Sequence, residues 1–230
     1  MPLGYKDYVD VFRKDRALTL VPHRPIDHAI DLEPGLHIGY GRIYNLSGVE
    51  LKTLKAHIET NLSNAFIWRT SSPVAAVIVF AKKNDGGQQL CVDYRALNRA
   101  TVKNQYPLPQ ISEMLDRLRG SWILMKLRHR NANHLIRIRE VDDSKTAFHI
   151  LYGQFEGQVM PFGLSYAPAT FQAHIDDCLR PFIDDFTVHY LDDTLIYMTN
   201  EEDNEEQVQK CSNGYENLAS MPKPCSAIWE

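Results

Sequence analysis

Residues 186–198 read FTVHYLDDTLIYM: two β-branched and aromatic runs, FTVHY at 186–190 and TLIYM at 194–198, joined through Leu191-Asp192-Asp193. Runs of this kind on either side of a short polar joint predict an antiparallel hairpin. Adjacent carboxylates at its tip, with strands burying their flanks, form a ligand pair of the type that hard divalent cations such as Mg2+ take. Alone, an Asp-Asp at a turn is ordinary solvated turn chemistry. The weight of the hairpin therefore depends on what surrounds it.

Working upstream, a helix is predicted from Pro168, with Phe171, Ile175, Leu179 and Phe182 inward. A strand pair is expected at 145–151 and 155–160, split by Tyr152-Gly153, and a strand at 123–127. A helix over 111–119 places Ile111, Met114, Leu115 and Leu118 on one apolar face, with Gly120 as its stop. VAAVIVFA at 74–81 and the run at 89–94 read as two antiparallel strands around turn residues 84–87. Ser47 and Glu50 form an S-x-x-E capping box that opens a helix over about 48–63, carried by Leu51, Leu54, Ile58 and Leu62. Residues 1–46, with Pro22, Pro25 and Pro34, read as an extended leader, with a possible short helix near Tyr8 to Phe12. Residues 201–230 show no period and are expected without regular structure. Strands and helices in this order, without repeating βαβ units, give an α+β class with an antiparallel sheet backed by helices.

Composition excludes several classes of function. No apolar run approaches the roughly 18 residues of a membrane span, and the acidic N-terminus is unlike a signal peptide, so no membrane partner and an intracellular location are expected. Cys91, Cys178, Cys211 and Cys225 show neither a close pair nor histidines at zinc spacing. The formal net charge of −4 hides an asymmetry: residues 81–140 carry twelve basic and five acidic groups, and residues 141–230 four and sixteen. A basic centre suits a polyanion partner.

KKNDGG at 82–87, LCVDYRALNRATVKNQYPLPQI at 90–111, MPFGLSYAPATFQ at 160–172 and YLDD at 190–193 stand in the order and at the spacings of one family. From about residue 5 to about residue 207 the chain resembles the reverse transcriptases of gypsy-class LTR retrotransposons, and HRPIDHAIDLEPG at 23–35 resembles their protease-to-polymerase junction. The resemblance implies a right-hand polymerase: fingers at 47–110, palm at 111–200, a degenerate tail at 201–230 and no thumb. It implies RNA or DNA template-primer and dNTP as partners. It also implies two Mg2+ ions roughly 3.5–4 Å apart, held by three carboxylates.

Two of those carboxylates are Asp192 and Asp193, but the third position is Arg128, in KLRHRNANH at 126–134. At an effective dielectric of about 20, unit charges about 4 Å apart interact by roughly 4 kcal/mol, so exchanging Asp for Arg beside a divalent ion opposes its binding strongly. By the same resemblance Lys82, Lys83 and Arg95 are phosphate or template contacts, and Phe162-Gly163 lies beside the nucleotide. Gln89 replaces a base that fixes the triphosphate, and Asn133 replaces an aromatic that rejects a 2′-hydroxyl. His129 and His134 are not read as ligands, because Arg128 and Arg130 flank the first of them; Tyr190 is read as an anchor of the hairpin. The expected function is an inactive fragment of an RNA-directed DNA polymerase. The alternatives are a weakly active polymerase in which Asp142 or Asp143 substitutes as ligand, and a non-enzymatic nucleic-acid-binding remnant.

Overall fold

The computed structural model describes residues 18–82, 88–103, 106–121, 123–129, 131–198, 204–217 and 227–229. Lys83 and the expected turn at 84–87 lie outside them, as does the expected short helix near Tyr8 to Phe12. In chain order the elements are α1 (Gly48–Ser63), β1 (Ile67–Arg69), β2 (Ile78–Lys82), β3 (Gln88–Val92), α2 (Arg95–Ala100), α3 (Ile111–Arg117), β4 (Ile123–His129), β5 (Phe148–Ile150), β6 (Gly153–Gly157), α4 (Ala167–Leu179), β7 (Thr187–Tyr190), β8 (Asp193–Met198), α5 (Asn204–Asn217) and β9 (Ala227–Trp229). No helix among the described residues is long and apolar enough to cross a membrane.

The chain folds as two compact units, one built from His23–Asn104 and Ile136–Ala167, the other from Met1–Pro22, Gln105–Leu135 and Pro168–Glu230. These differ from the expected boundaries of 47–110 and 111–200. Residues 136–167 fold with the earlier segment because β6 pairs antiparallel with β1, Ile67 opposite Gly157 through Arg69 opposite Phe155.

In the first unit, Ser47 and Glu50 close the capping box in both directions: Ser47 N–H donates to Glu50 Oε2 at 2.7 Å and Glu50 N–H to Ser47 Oγ at 3.4 Å. α1 then turns Leu54 and Ile58 onto Ile67, Ile78, Phe148, Ile150 and Phe155, the unit's apolar core. β1, β6 and β5 form one sheet and the β2–β3 hairpin another. The expected strand at 145–151 is shortened to β5, because a 3-10 turn at Glu140–Thr146 occupies its start. Thr146 Oγ1 donates there to the Asp143 carbonyl at 2.7 Å, a local bond that competes with a ladder.

The leader from residue 23 onward is no linker. Ile30 is fully buried, and isolated bridges tie His28 to Ile138, Leu32 to Thr101 and Tyr40 to Ala75. Asp142, buried under this strap, accepts from Ile30 N–H at 2.9 Å, Arg139 Nε at 2.7 Å and Lys145 Nζ at 2.5 Å. Burial pushes its carboxyl up, but those donors outweigh burial and hold it below the usual range. An extended strap held by single bridges leaves no periodicity in the sequence, which is why the leader reads as an extended linker.

The second unit is a four-stranded antiparallel sheet of order β7-β8-β4-β9, backed by α4, whose Phe171, Ile175 and Leu179 are buried as the 3.6-residue spacing predicts. Two expectations change. α3 buries no residue, and Ile111 and Leu115 on its apolar stripe are 62% and 59% exposed. Residues 201–230, expected without regular structure, contain α5, which packs on β8 with Val208 and Cys211 buried, and β9, which adds to the edge of β4. Among the described side chains of α5, Val208 and Cys211 are buried, a stripe too short to register as a period.

Burial pushes the Asp143 carboxyl up to about 6, although Gln158 Nε2 donates to its Oδ2 at 3.1 Å. An unfolded Asp titrates near about 4. The folded chain therefore binds the extra proton between these values, and this contribution to stability is present at low pH and lost as pH rises from about 4 through about 6. Urea unfolding of wild type and Asp143→Asn is expected to give equal stabilities near pH 4, the variant gaining on the order of 2 kcal/mol by pH 7.

Candidate functional site

The register between β4 and β8 runs from Ile123 opposite Met198 to Arg128 opposite Asp193. It places the two basic residues of one β4 face beside the hairpin tip. Lys126 Nζ lies 3.4 Å from Asp193 Oδ2 and Arg128 Nε 3.5 Å from Asp193 Oδ1. All three side chains are between a third and a half exposed, so solvent screens these contacts, and they contribute little to stability. Their effect is on what else can approach the carboxylates.

The turn itself is Leu191-Asp192, between the paired Tyr190 and Asp193. Leu191 has φ +51°, a left-handed conformation uncommon for a bulky residue. Two residues hold it. His129 donates its backbone N–H to the Asp192 carbonyl at 2.8 Å and its Nδ1–H to the same oxygen at 3.0 Å. The His129 ring is buried edge-on to Phe171, with centroids 5.7 Å apart, and burial pushes its pKa down to about 4. It is thus a neutral positioning group. From α4, Gln172 Oε1 accepts the Leu191 N–H at 3.0 Å, while Gln172 Nε2 donates to Asp176 Oδ1 at 3.0 Å. Asp176 also takes the Tyr106 hydroxyl and pairs with His189 Nε2. For Asp192, burial raises the carboxyl pKa, the Asp193 charge adds to that, and Arg128 opposes it.

Sequence reasoning missed Gln172 and His129 as supports of the turn. The i, i+4 spacing of Gln172 and Asp176 on one helix face was a signal for the first; only the strand register reveals the second.

The remaining predicted residues divide between the two units. Asn133, half-buried in a 3-10 turn at Ala132–Leu135, belongs to the hairpin's unit. In the first unit, Lys82 and Gln89 lie on the β2–β3 hairpin, with Gln89 opposite Ala81. Arg95 opens α2 and donates to Asp93 through Nε at 2.8 Å and Nη2 at 2.6 Å; the Arg95 hydrogen bond holds Asp93 below the usual carboxylate range. Gly163, at φ +100°, has Val92 O within 3.4 Å of where a Cβ would stand, and its carbonyl accepts from Asn98 Nδ2 at 2.8 Å. This glycine allows a close approach to β3 and α2 of its own unit. Phe162 beside it is 63% exposed. A cleft of about 400 Å³ in the same unit is lined by Tyr40, Arg42, Tyr44, Arg95, Arg99 and Lys145, with Asp93 the one acidic residue among its lining.

A divalent ion does not fit the tip as it stands. Among the described residues no three His, Cys, Asp or Glu side chains cluster to hold a metal, and the position opposite Asp193 carries a guanidinium. Asp142 accepts from Ile30, Arg139 and Lys145, and Asp143 accepts from Gln158 at Oδ2 while its buried Oδ1 has no hydrogen-bond partner.

Replacing Gln172 with Leu removes the acceptor for Leu191 N–H at a cost of about 1–3 kcal/mol for the stranded amide. Hydrogen exchange is expected to speed up at residues 190–193 and to stay unchanged at Ile196.

Residues 81–219 match the family model described as reverse transcriptase (RNA-dependent DNA polymerase). The chain is 32% identical over 210 residues to the transposon Tf2-3 polyprotein of Schizosaccharomyces pombe and 31% identical to its Tf2-7 polyprotein; each alignment takes in 91% of this chain and 16% of the relative. The chain thus spans about a sixth of the length of these relatives. Among solved structures it is similar to the foamy viral protease-reverse transcriptase in complex with an RNA/DNA hybrid, with TM-score 0.80, 18% identity, and 98% of this chain on 30% of that one. A second foamy viral structure, with double-stranded DNA, gives TM-score 0.81 at 18% identity, with 98% of this chain on 39% of that one. With the YLDD hairpin, the fingers-like β2–β3 hairpin and the antiparallel palm sheet in place, the chain belongs to the reverse transcriptase family and has the fold of its fingers and palm.

Proposed function

We propose that this chain is the fingers-and-palm part of a gypsy-class retrotransposon RNA-directed DNA polymerase whose catalytic site no longer adds nucleotides. The observation that carries this reading is the pairing of Arg128 with Asp193 across the β4–β8 ladder. In this reading Asp192 and Asp193 are the surviving metal carboxylates, and a fixed cation stands at the third corner. Gln89 brings no charge to a triphosphate, and Asn133 offers no aromatic face under an incoming sugar. Lys82, Lys83, Arg95, Phe162 and Gly163 are the remaining contacts to template and dNTP. The alternative in which Asp142 stands in as ligand loses support, since its oxygens are taken by Ile30, Arg139 and Lys145 of its own unit; Asp143, held at one oxygen by Gln158, is the weaker alternative.

Purified chain given an RNA or DNA template-primer, dNTPs and Mg2+ or Mn2+ is expected to extend no primer, and Arg128→Asp alone is expected to leave extension at least a thousandfold below an intact polymerase. Templated extension by the wild type that disappears in Asp192→Asn would overturn the reading.

The cleft lined by Tyr40, Tyr44 and four basic side chains favours retained, non-enzymatic binding of nucleic acid. Phosphate contacts of this kind carry little sequence preference and weaken steeply with salt. A labelled primer-template is expected to bind with a dissociation constant of roughly 10⁻⁴ to 10⁻⁶ M. Arg42→Glu with Arg99→Glu is expected to weaken it at least tenfold, measured by fluorescence anisotropy at two salt concentrations.

A further inference from the structure

We infer that the hairpin tip carries its own counter-ions in place of a divalent cation, and that the single replacement Arg128→Asp uncovers a cation site there. This rests on the reading of Asp192 and Asp193 as a former metal pair, but it concerns binding rather than catalysis.

Three observations point the same way. Lys126 and Arg128 share one face of β4, two residues apart, and reach different oxygens of Asp193. At 3.4 and 3.5 Å they neutralise the carboxylate as charges rather than as well-formed hydrogen bonds. Asp193 Oδ1 is buried and accepts no hydrogen bond, so the Arg128 guanidinium is what compensates it. A buried carboxylate oxygen without a donor is a place where a cation belongs, and in this chain the cation is covalently attached.

The backbone around the tip is fixed independently of these charges. His129 and Gln172 hold the Asp192 carbonyl and the Leu191 amide whichever side chain occupies position 128. A carboxylate placed there would face Asp193 directly across the ladder, next to Asp192, giving three oxygen-donor side chains on a rigid support.

The test is Mn2+ titration followed by electron paramagnetic resonance, with far-UV circular dichroism as the control for folding. Wild type is expected to take up no more Mn2+ than Asp192→Asn does. Arg128→Asp is expected to bind one ion per chain at least tenfold more tightly than wild type, and adding Asp192→Asn to it should abolish the gain. Arg128→Ala, which removes the tethered charge without adding a ligand, is expected to gain about threefold and keeps the test open should Arg128→Asp fail to fold. Tight uptake by the wild type that Asp192→Asn removes would overturn the inference, as would a folded Arg128→Asp no tighter than wild type or, where that variant does not fold, an Arg128→Ala without gain. Primer extension by the wild type would instead overturn the proposed function. Mn2+ uptake without extension sinks only the tethered counter-ion.

Discussion

The register of β4 against β8 decides what stands beside each carboxylate of the hairpin. Successive residues of a strand point to opposite faces, so a slip of one position would set Leu127 rather than Arg128 against Asp193 and turn the strand's basic face inward. What prevents the slip is apolar. Thr194, Ile196 and Met198 of β8 and Leu127 and His129 of β4 are buried, while Lys126, Arg128, Asp193 and Tyr197 keep partial access to solvent. The chemistry of the tip is therefore set by a pattern of burial that contains none of the site's charged groups.

That separation explains how the fold and the site can differ in integrity. The Arg128 and Lys126 contacts to Asp193 are half-exposed and weak in stability terms, within the 0–1 kcal/mol of surface ion pairs. Ile196 and Met198 of β8 and the α4 side chains Phe171, Ile175 and Leu179 each bury enough apolar surface to contribute about 1.5–3 kcal/mol. Exchanging one charge for another at position 128 thus barely changes folding, yet it reverses the sign of the field at the point where a cation would sit.

The hairpin, the α1 capping box and the buried face of α4 were legible in the sequence because each rests on a local period or a spacing of three or four residues. The rest was set by contacts that no local pattern encodes. The leader is ordered by Asp142, more than a hundred residues away, taking the Ile30 amide. α3 has a clear apolar stripe but nothing among the described residues buries it, so a correct period gave a wrong burial. Leu195 shows the same limit on a smaller scale: it lies in an apolar run, yet strand alternation leaves it only partly buried beside the fully buried Ile196. For the site, Asp192 and Asp193 were visible as an adjacent pair at a hairpin tip, and Arg128 stood out only through the resemblance to the family. His129 and Gln172 were not, since they act through hydrogen bonds to the backbone of the turn rather than through their own chemistry.

Those backbone bonds give the turn its last property. A leucine in the left-handed region costs on the order of 1–3 kcal/mol and persists only when its surroundings over-determine it. Here a histidine that burial keeps neutral fixes the carbonyl on one side, and a glutamine amide, itself oriented by Asp176, fixes the amide on the other. Neither support carries charge, so neither competes with a cation for Asp192 or Asp193. The supports that present the two carboxylates are electrically silent, and the charge that faces Asp193 comes from the β4 side chains Lys126 and Arg128.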